Sequence, residues 1–220
     1  VALLTVNGWR KFYLLSRDAA HTEPESLSGH ILPYAPVGSP GAAVLKALTA
    51  HGFPALSLSP LEPRQLELAL LAGRYDAALV PEPQATILMS KDPRLRVIAG
   101  VEDICSRLTG GPARLPLACL AVNTRTASLH PALVRRLVEI LVDEGRRIKA
   151  DPERGLAALP REFESYIPRE LIRRSLARDM ILVEPASAVS GEIRAFLGMM
   201  DGETLGGTAA PDLPPDFLWH

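Results

Sequence analysis

The chain has 220 residues, of which 47% are hydrophobic and 22% charged, with a formal net charge of -1. It is long enough for one large domain or two lobes around a buried core, and too apolar for a disordered chain. A near-zero charge supplies no general attraction to nucleic acid or to an anionic membrane, and no apolar run is long enough to cross a bilayer as a helix.

Residues 1–6 form an apolar run that predicts a buried strand, and residues 11–15 a second extended piece. Residues 18–28 are polar and contain Pro24, which predicts a loop. A short apolar run, residues 30–34, enters a tight turn made of Pro36, Val37, Gly38, Ser39, Pro40 and Gly41. In the helix expected over 42–51, Val44, Leu45 and Leu48 share one face. Ser39 stands where an N-cap would stand and Pro40 at the first helical position, and Gly52 supplies a stop. A strand over 55–58 follows, then a helix over 62–72 with Leu66, Ala69 and Leu70 on one side, closed by Gly73. Residues 75–80 read as a strand broken by Pro81 and Pro83, residues 84–90 as a short helix, and residues 95–99 as another strand. This alternation predicts an α/β fold with a mostly parallel sheet flanked by helices. In such sheets ligands bind beyond the carboxyl ends of the strands.

Residues 101–116 contain Gly110, Gly111 and Pro112 and read as a loop or hinge. Residues 117–123 read as a strand. A long helix is expected from His130 to about Asp151, with Leu133, Leu137, Ile140, Leu141 and Ile148 marking one apolar face. Two further helices are expected over 168–178 and 186–200, before a tail from Gly206 that is rich in Gly and Pro.

Three features can carry chemistry. The first is the turn Gly38, Ser39, Pro40, Gly41. Backbone amides at a helix start, the helix dipole and the Ser39 hydroxyl suit a carboxylate, sulfonate, phosphate or nitrate, and a plain helix cap is the competing reading. The second is Glu82. A carboxylate fixed between two prolines just past a strand end can receive a ligand amine or hydroxyl, and a rigid solvent-facing turn is the alternative. The third is Trp9, which follows Asn7 and Gly8 and either stacks on a ligand or packs in a core.

No nucleophile elbow, phosphate loop or Rossmann glycine pattern is present. The five histidines lack metal-ligand spacing, and Cys105 and Cys119 match no zinc motif; they read either as a pair or as two separate thiols. The sequence therefore predicts no catalytic residue, no metal and no cofactor. Paired arginines on the later helices have no aromatic residues interleaved and read as solvated, not as a nucleic-acid surface.

The segment from Leu66 to Pro83, reading LELALLAGRYDAALVPEP, resembles a series found in periplasmic solute-binding proteins: a leucine-rich helix, Ala-Gly, Asp-Ala-Ala and Glu-Pro. The subgroup serves ABC transporters for nitrate, taurine, aliphatic sulfonates and thiamine-precursor pyrimidines. Supporting features follow in the same order. They are Gly38, Ser39, Pro40 and Gly41 opening a helix; residues 117–123 ahead of His130, Pro131 and a long helix; Ala150, Asp151, Pro152 and Glu153; and Leu205, Gly206 and Gly207.

The resemblance implies a two-lobed type 2 periplasmic-binding fold that captures a small anionic or zwitterionic solute between its lobes and presents it to a membrane permease. It implies a monomer without covalent chemistry, in the periplasm or outside the cell. By analogy Gly38, Ser39, Pro40, Gly41, Glu82, Trp9 and Asn7 border the pocket. Residues 1–25 and 116–220 would belong to the first lobe and residues 26–115 to the second. Family members begin with a first-lobe βαβ region that has no counterpart here. A longer parent chain is therefore expected, with a segment ahead of Val1 that could anchor it to a membrane. Two other readings compete: an enzyme of pyrimidine or cofactor biosynthesis on the same fold, using Lys11 or Cys105, and a ligand-sensing regulatory domain.

Overall fold

The structure is a computed structural model in which residues 1–200, 213, 214 and 216–219 are described. The motif at 205–207 and the first part of the Gly- and Pro-rich tail lie outside the described residues. Contacts divide the chain into two compact units. One contains Val1–Trp9 and the described residues from Leu115 to Met200 and beyond 212; the other contains Arg10–Arg114.

The first strand, β1 (Ala2–Gly8), is the apolar run at the start of the sequence, with Leu4, Thr5 and Val6 almost fully buried. The chain then enters the second unit through β2 (Phe12–Ser16), whose five residues are all buried. There follow β3 (Ile31–Tyr34), α1 (Pro40–Leu48), β4 (Ser57–Pro60), α2 (Pro63–Leu71), β5 (Ala77–Pro81), α3 (Gln84–Lys91), β6 (Arg96–Gly100) and α4 (Val101–Thr109). These strands form one sheet in the order β4-β3-β5-β2-β6. β3 pairs in parallel with β4 and β5, whereas β2 pairs antiparallel with both β5 and β6. Four strands therefore run one way and β2 alone runs back. The strand–helix alternation over 28–99 has the expected physical cause: alternate residues of β2 and β5 meet the apolar sides of α2 and α3. Tyr13, Leu15, Ala78 and Val80 pack with Leu66, Leu70, Ala85 and Leu88.

Two expectations need correction in this unit. Residues 10–25 belong with the second unit, because the backbone of β2 is paired on both sides inside that unit's sheet. Residues 101–109 form a helix, not a loop. Val101, Ile104 and Cys105 fall on one buried face, acidic residues occupy its first turn, and Gly110 stops it in the left-handed region at φ +71°.

Back in the first unit come β7 (Ala118–Val122), α5 (Thr124–Leu129), α6 (Pro131–Ala150), α7 (Pro152–Ala158), α8 (Arg169–Leu176), β8 (Glu184–Pro185) and α9 (Ser190–Met200). Among the described residues the sheet order is β7-β1-β8, with both pairings antiparallel. Helix α6 turns Val134, Val138 and Val142 onto Leu4 and Ala127. The stripe expected to be buried does not do this: Leu133, Leu137 and Ile140 are exposed at 67%, 40% and 44%. The helix carries two apolar stripes, and a 3.6-residue period is satisfied by either.

Candidate functional site

The sheet of the second unit has a topological switch point. β3 and β5 are neighbours, yet the chain leaves β3 for β4 on one side and leaves β5 for β6 on the other. Crevices at such points, beyond the carboxyl ends of the strands, are where open α/β sheets take ligands. The turn 36–41 follows β3 and the turn 81–83 follows β5, so both sequence candidates stand at this rim. The start of α4 follows β6. Because β2 runs backward, its first residues reach the same rim. The Ala35–Pro36 and Glu82–Pro83 peptide bonds, one in each turn, are cis.

Ser39 is the N-cap residue of α1 within the first of these turns. Gly38 before it has φ +75°, a backbone geometry that favours glycine. Ala42 and Ala43 donate to the Ser39 carbonyl at 3.1 and 3.2 Å, which starts α1. The Ser39 side chain makes no cap bond, although Ser39 is only 2% exposed. Its Oγ is buried without a hydrogen-bond partner among the described residues. The plain-cap reading predicts that an N–H of the first turn donates to Ser39 Oγ, and that bond is not made. Pro40 occupies the first helical position. Gly41, the second, lies against Phe12: a Cβ added there would stand 2.5 Å from Phe12 Cγ.

The start of β2 ties the other two loops together. The Glu82 N–H donates to the Lys11 carbonyl at 2.8 Å. The Lys11 and Phe12 N–H groups donate to Glu102 Oε1 at 2.9 and 3.4 Å. Glu102, on the first turn of α4, is completely buried, and its Oε2 has no hydrogen-bond partner among the described residues. Burial pushes the Glu102 carboxyl above its ordinary range, against the pull of the Lys11 and Phe12 amides and of Arg10. The Arg10 guanidinium pairs with Asp103, while its buried Nε lacks a partner. Three buried polar atoms on segments that reach this rim have no hydrogen-bond partner among the described residues: Ser39 Oγ, Glu102 Oε2 and Arg10 Nε. Buried polar groups are nearly always hydrogen-bonded, so each of these atoms calls for a partner from a ligand or from ordered water.

The remaining sequence candidates are placed differently. Glu82 is buried, with Oε2 accepting the Thr86 N–H at 3.1 Å and Oε1 accepting the Thr86 hydroxyl at 2.9 Å. Its carboxylate therefore caps the first turn of α3. Trp9 is fully buried in the first unit among Val6, Ala186, Val189, Ile193 and Leu218. Its indole Nε1 donates to the Leu182 carbonyl at 3.1 Å, which matches the core reading of the two left open. Asn7 is exposed near the end of β1.

Glu102, Phe12 and Arg10 were not singled out from the sequence. The only sequence cue to Glu102 was the spacing of Val101, Ile104 and Cys105, which makes 101–109 a helix and draws its first turn inward. Cys105 and Cys119 are free thiols, and burial raises the Cys105 thiol above its ordinary value. Among the described residues no group of three His, Cys, Asp or Glu side chains could hold a metal ion. A surface hollow of about 550 Å³ on the second unit, lined by residues that include Leu61, Leu68, Arg74 and Tyr75, contains none of the rim residues.

No family model matches the chain, and no curated protein is significantly similar to it. Solved structures do share its fold. An ABC transporter structure from Parabacteroides distasonis superposes with a TM-score of 0.68 at 16% identity, over 100% of this chain and 74% of that one. The periplasmic aliphatic sulphonate binding protein from Escherichia coli gives 0.66 at 17% identity, over 91% of this chain and 67% of that one. The alkanesulfonate-binding protein from Xanthomonas axonopodis pv. citri bound to MOPS gives 0.58 at 19% identity, over 88% of this chain and 68% of that one. The switch-point sheet, the helix start at its rim and these superpositions together establish that the chain has the α/β fold of ABC-transporter periplasmic binding proteins.

Proposed function

We propose that this protein is the substrate-binding component of an ABC-type importer and captures a small anionic or zwitterionic solute at the rim of its second unit. The observation that carries the reading is Ser39 Oγ: a hydroxyl at a helix start, buried and unpartnered, beside a topological switch point. Gly38, where an added Cβ would meet nothing within 4 Å, leaves the backbone open to a bound anion, and the α1 dipole favours negative charge there. The fold match adds structures whose names describe sulfonate binding. The partners are then the solute and a membrane permease, and the place of action is the periplasm or the cell exterior. Capture and release require no covalent step.

The enzyme reading gains no support from its two candidate nucleophiles. A buried thiol raised above its ordinary value is a poor source of thiolate, which disfavours Cys105. Lys11 contributes to the rim through its backbone N–H and carbonyl.

A thermal-shift panel of nitrate, sulfate, short alkanesulfonates and short carboxylates tests the proposal. A ligand at one hundred times its Kd stabilises the folded state by about 2.7 kcal/mol. At least one anion should therefore raise the melting temperature by several degrees, saturably. Ser39→Ala should weaken that ligand roughly tenfold or more, the effect of removing one hydrogen bond to a charged group. No response to any anion in the panel would overturn the reading.

A further inference from the structure

His21 and His30 lie in the connection between β2 and β3, too far apart in sequence to match a short metal motif. The fold brings their rings together: the centroids are 4.7 Å apart and the planes cross at 81°. His21 is 4% exposed, whereas His30 is exposed. The last residue of β2 sets the chemistry of His21. Ser16 is fully buried; its Oγ donates its one hydrogen to the Asp76 carbonyl at 3.2 Å and accepts the Asp18 N–H at 3.0 Å. The 2.8 Å bond between Ser16 Oγ and His21 Nδ1 is then one in which the imidazole donates. That places the ring proton on Nδ1 and leaves a lone pair on Nε2. No hydrogen bond to His21 Nε2 is made among the described residues. The turn that carries the ring is held in turn by Arg96, which donates to the Asp18 and His21 carbonyls at 2.7 and 2.8 Å.

We propose that His21 Nε2 and one ring nitrogen of His30 form a two-imidazole site for a divalent transition-metal ion such as Zn²⁺, Ni²⁺ or Cu²⁺. The separation of the rings fits. With metal–nitrogen bonds of about 2.0–2.1 Å, the centroids of two imidazoles on one ion lie roughly 4.5–5.2 Å apart for bond angles of about 90–110°. The observed 4.7 Å falls inside that range. His21 is the fixed ligand, and the exposed His30 ring turns to share the ion. An imidazole whose other nitrogen donates to a fixed oxygen is the arrangement that metal-ligating histidines use. Among the described residues no third His, Cys, Asp or Glu joins them, so water completes the coordination. Imidazole ligands suit ions of this class, whereas Mg²⁺ and Ca²⁺ take oxygen ligands. An ion here links the buried turn after β2 to the residue that leads into β3, and so staples that connection to the sheet.

The test is titration calorimetry of the untagged 220-residue protein with zinc, nickel and magnesium chloride, using His30→Ala and His130→Ala as variants. His30 and His130 are both exposed, so neither change opens a core. Zn²⁺ and Ni²⁺ should each bind one ion per chain and raise the melting temperature, and Mg²⁺ should do neither. His30→Ala should weaken Zn²⁺ binding at least tenfold, and His130→Ala should leave it within about twofold. Long-range proton–nitrogen NMR spectra read His21 itself. The metal-free ring should be in the Nδ1–H form, and Nε2 should be the nitrogen that shifts when Zn²⁺ is added. Saturable binding that His30→Ala does not weaken would place the ion elsewhere and overturn the proposal. No binding of Zn²⁺ or Ni²⁺, equal binding of Mg²⁺, or a neutral metal-free His21 with its proton on Nε2 would overturn it as well. Whether an anion binds at Ser39 is independent of each of these results.

Discussion

Gly41→Ala places a methyl group where α1 meets β2. The new Cβ would lie 2.5 Å from Phe12 Cγ, 2.7 Å from Cδ1 and 2.9 Å from Cβ. Ordinary carbon contacts are about 3.5–4.0 Å, so the two elements must separate by roughly 1 Å. Rotating the Phe12 ring does not relieve the clash, because Phe12 Cβ is itself too close and its position is set by the backbone. That backbone is paired with β5 and β6, so it has little room to retreat. The start of α1 must lift instead. Overpacking of this kind costs about 1–3 kcal/mol, against at most about 1 kcal/mol gained by replacing a helical glycine. The net loss is up to about 3 kcal/mol, with a central value of about 1.5 kcal/mol, or roughly 3–6 °C in melting temperature for a chain of this size. Gly191→Ala is the control: it lies in α9, and an added Cβ meets nothing within 4 Å. That change should be neutral or stabilising by up to about 1 kcal/mol. Thermal melts followed by circular dichroism measure both. If Gly41→Ala melts at or above the parent temperature, the tight approach of α1 to Phe12 is wrong.

Trp9→Phe removes the indole donor from the Leu182 carbonyl and opens a small cavity, so it should cost about 2 kcal/mol by urea unfolding. Solute affinity should change little, and a large loss of affinity with unchanged stability would restore the ligand-stacking role. Asp92 is held below the usual carboxylate range, first by its side-chain hydrogen bonds from Arg94 and less by the charge of Arg17. A depressed carboxyl pKa contributes stability above its unfolded-state value and loses it as pH falls through the folded value. Asp92→Asn should therefore lower the urea midpoint at pH 7 and converge with the parent in acid; an equal gap at pH 7 and pH 3 would show that the pairing is not its source.

The run from Ile31 to Gly100 was legible because Pro and Gly residues punctuate it and each helix has a single apolar face. Gly52 and Gly73 both adopt positive φ at helix ends, as their positions suggested. β2 was legible as an extended piece but not as part of the second unit, since its partners Ala77–Pro81 and Arg96–Gly100 are more than sixty residues away. Pairing at that range leaves no local signature. Gly110, Gly111 and Pro112 carry a loop signal that runs into the short amphipathic stretch of α4 before them, so the sequence over 101–116 favours a loop. On α6 the choice between the Val134 and Leu133 stripes depends on what lies opposite, which the helix's own sequence does not contain. At the rim, Ser39 was legible from helix-start chemistry. Glu102 was not, because its importance comes from one unpaired oxygen, and only the packed structure shows which of its two oxygens the β2 amides take.

The proposed function stands on an anion at the start of α1, on Ser39. Amide-detected NMR titration of the protein with 2-aminoethanesulfonate tests it residue by residue. Saturable shifts should be largest at Gly38, Ser39 and Gly41, with smaller ones at Lys11, Phe12 and Glu102. Saturable shifts centred on the Leu61 and Tyr75 hollow instead, or no shifts for this or any other small anion, would contradict it.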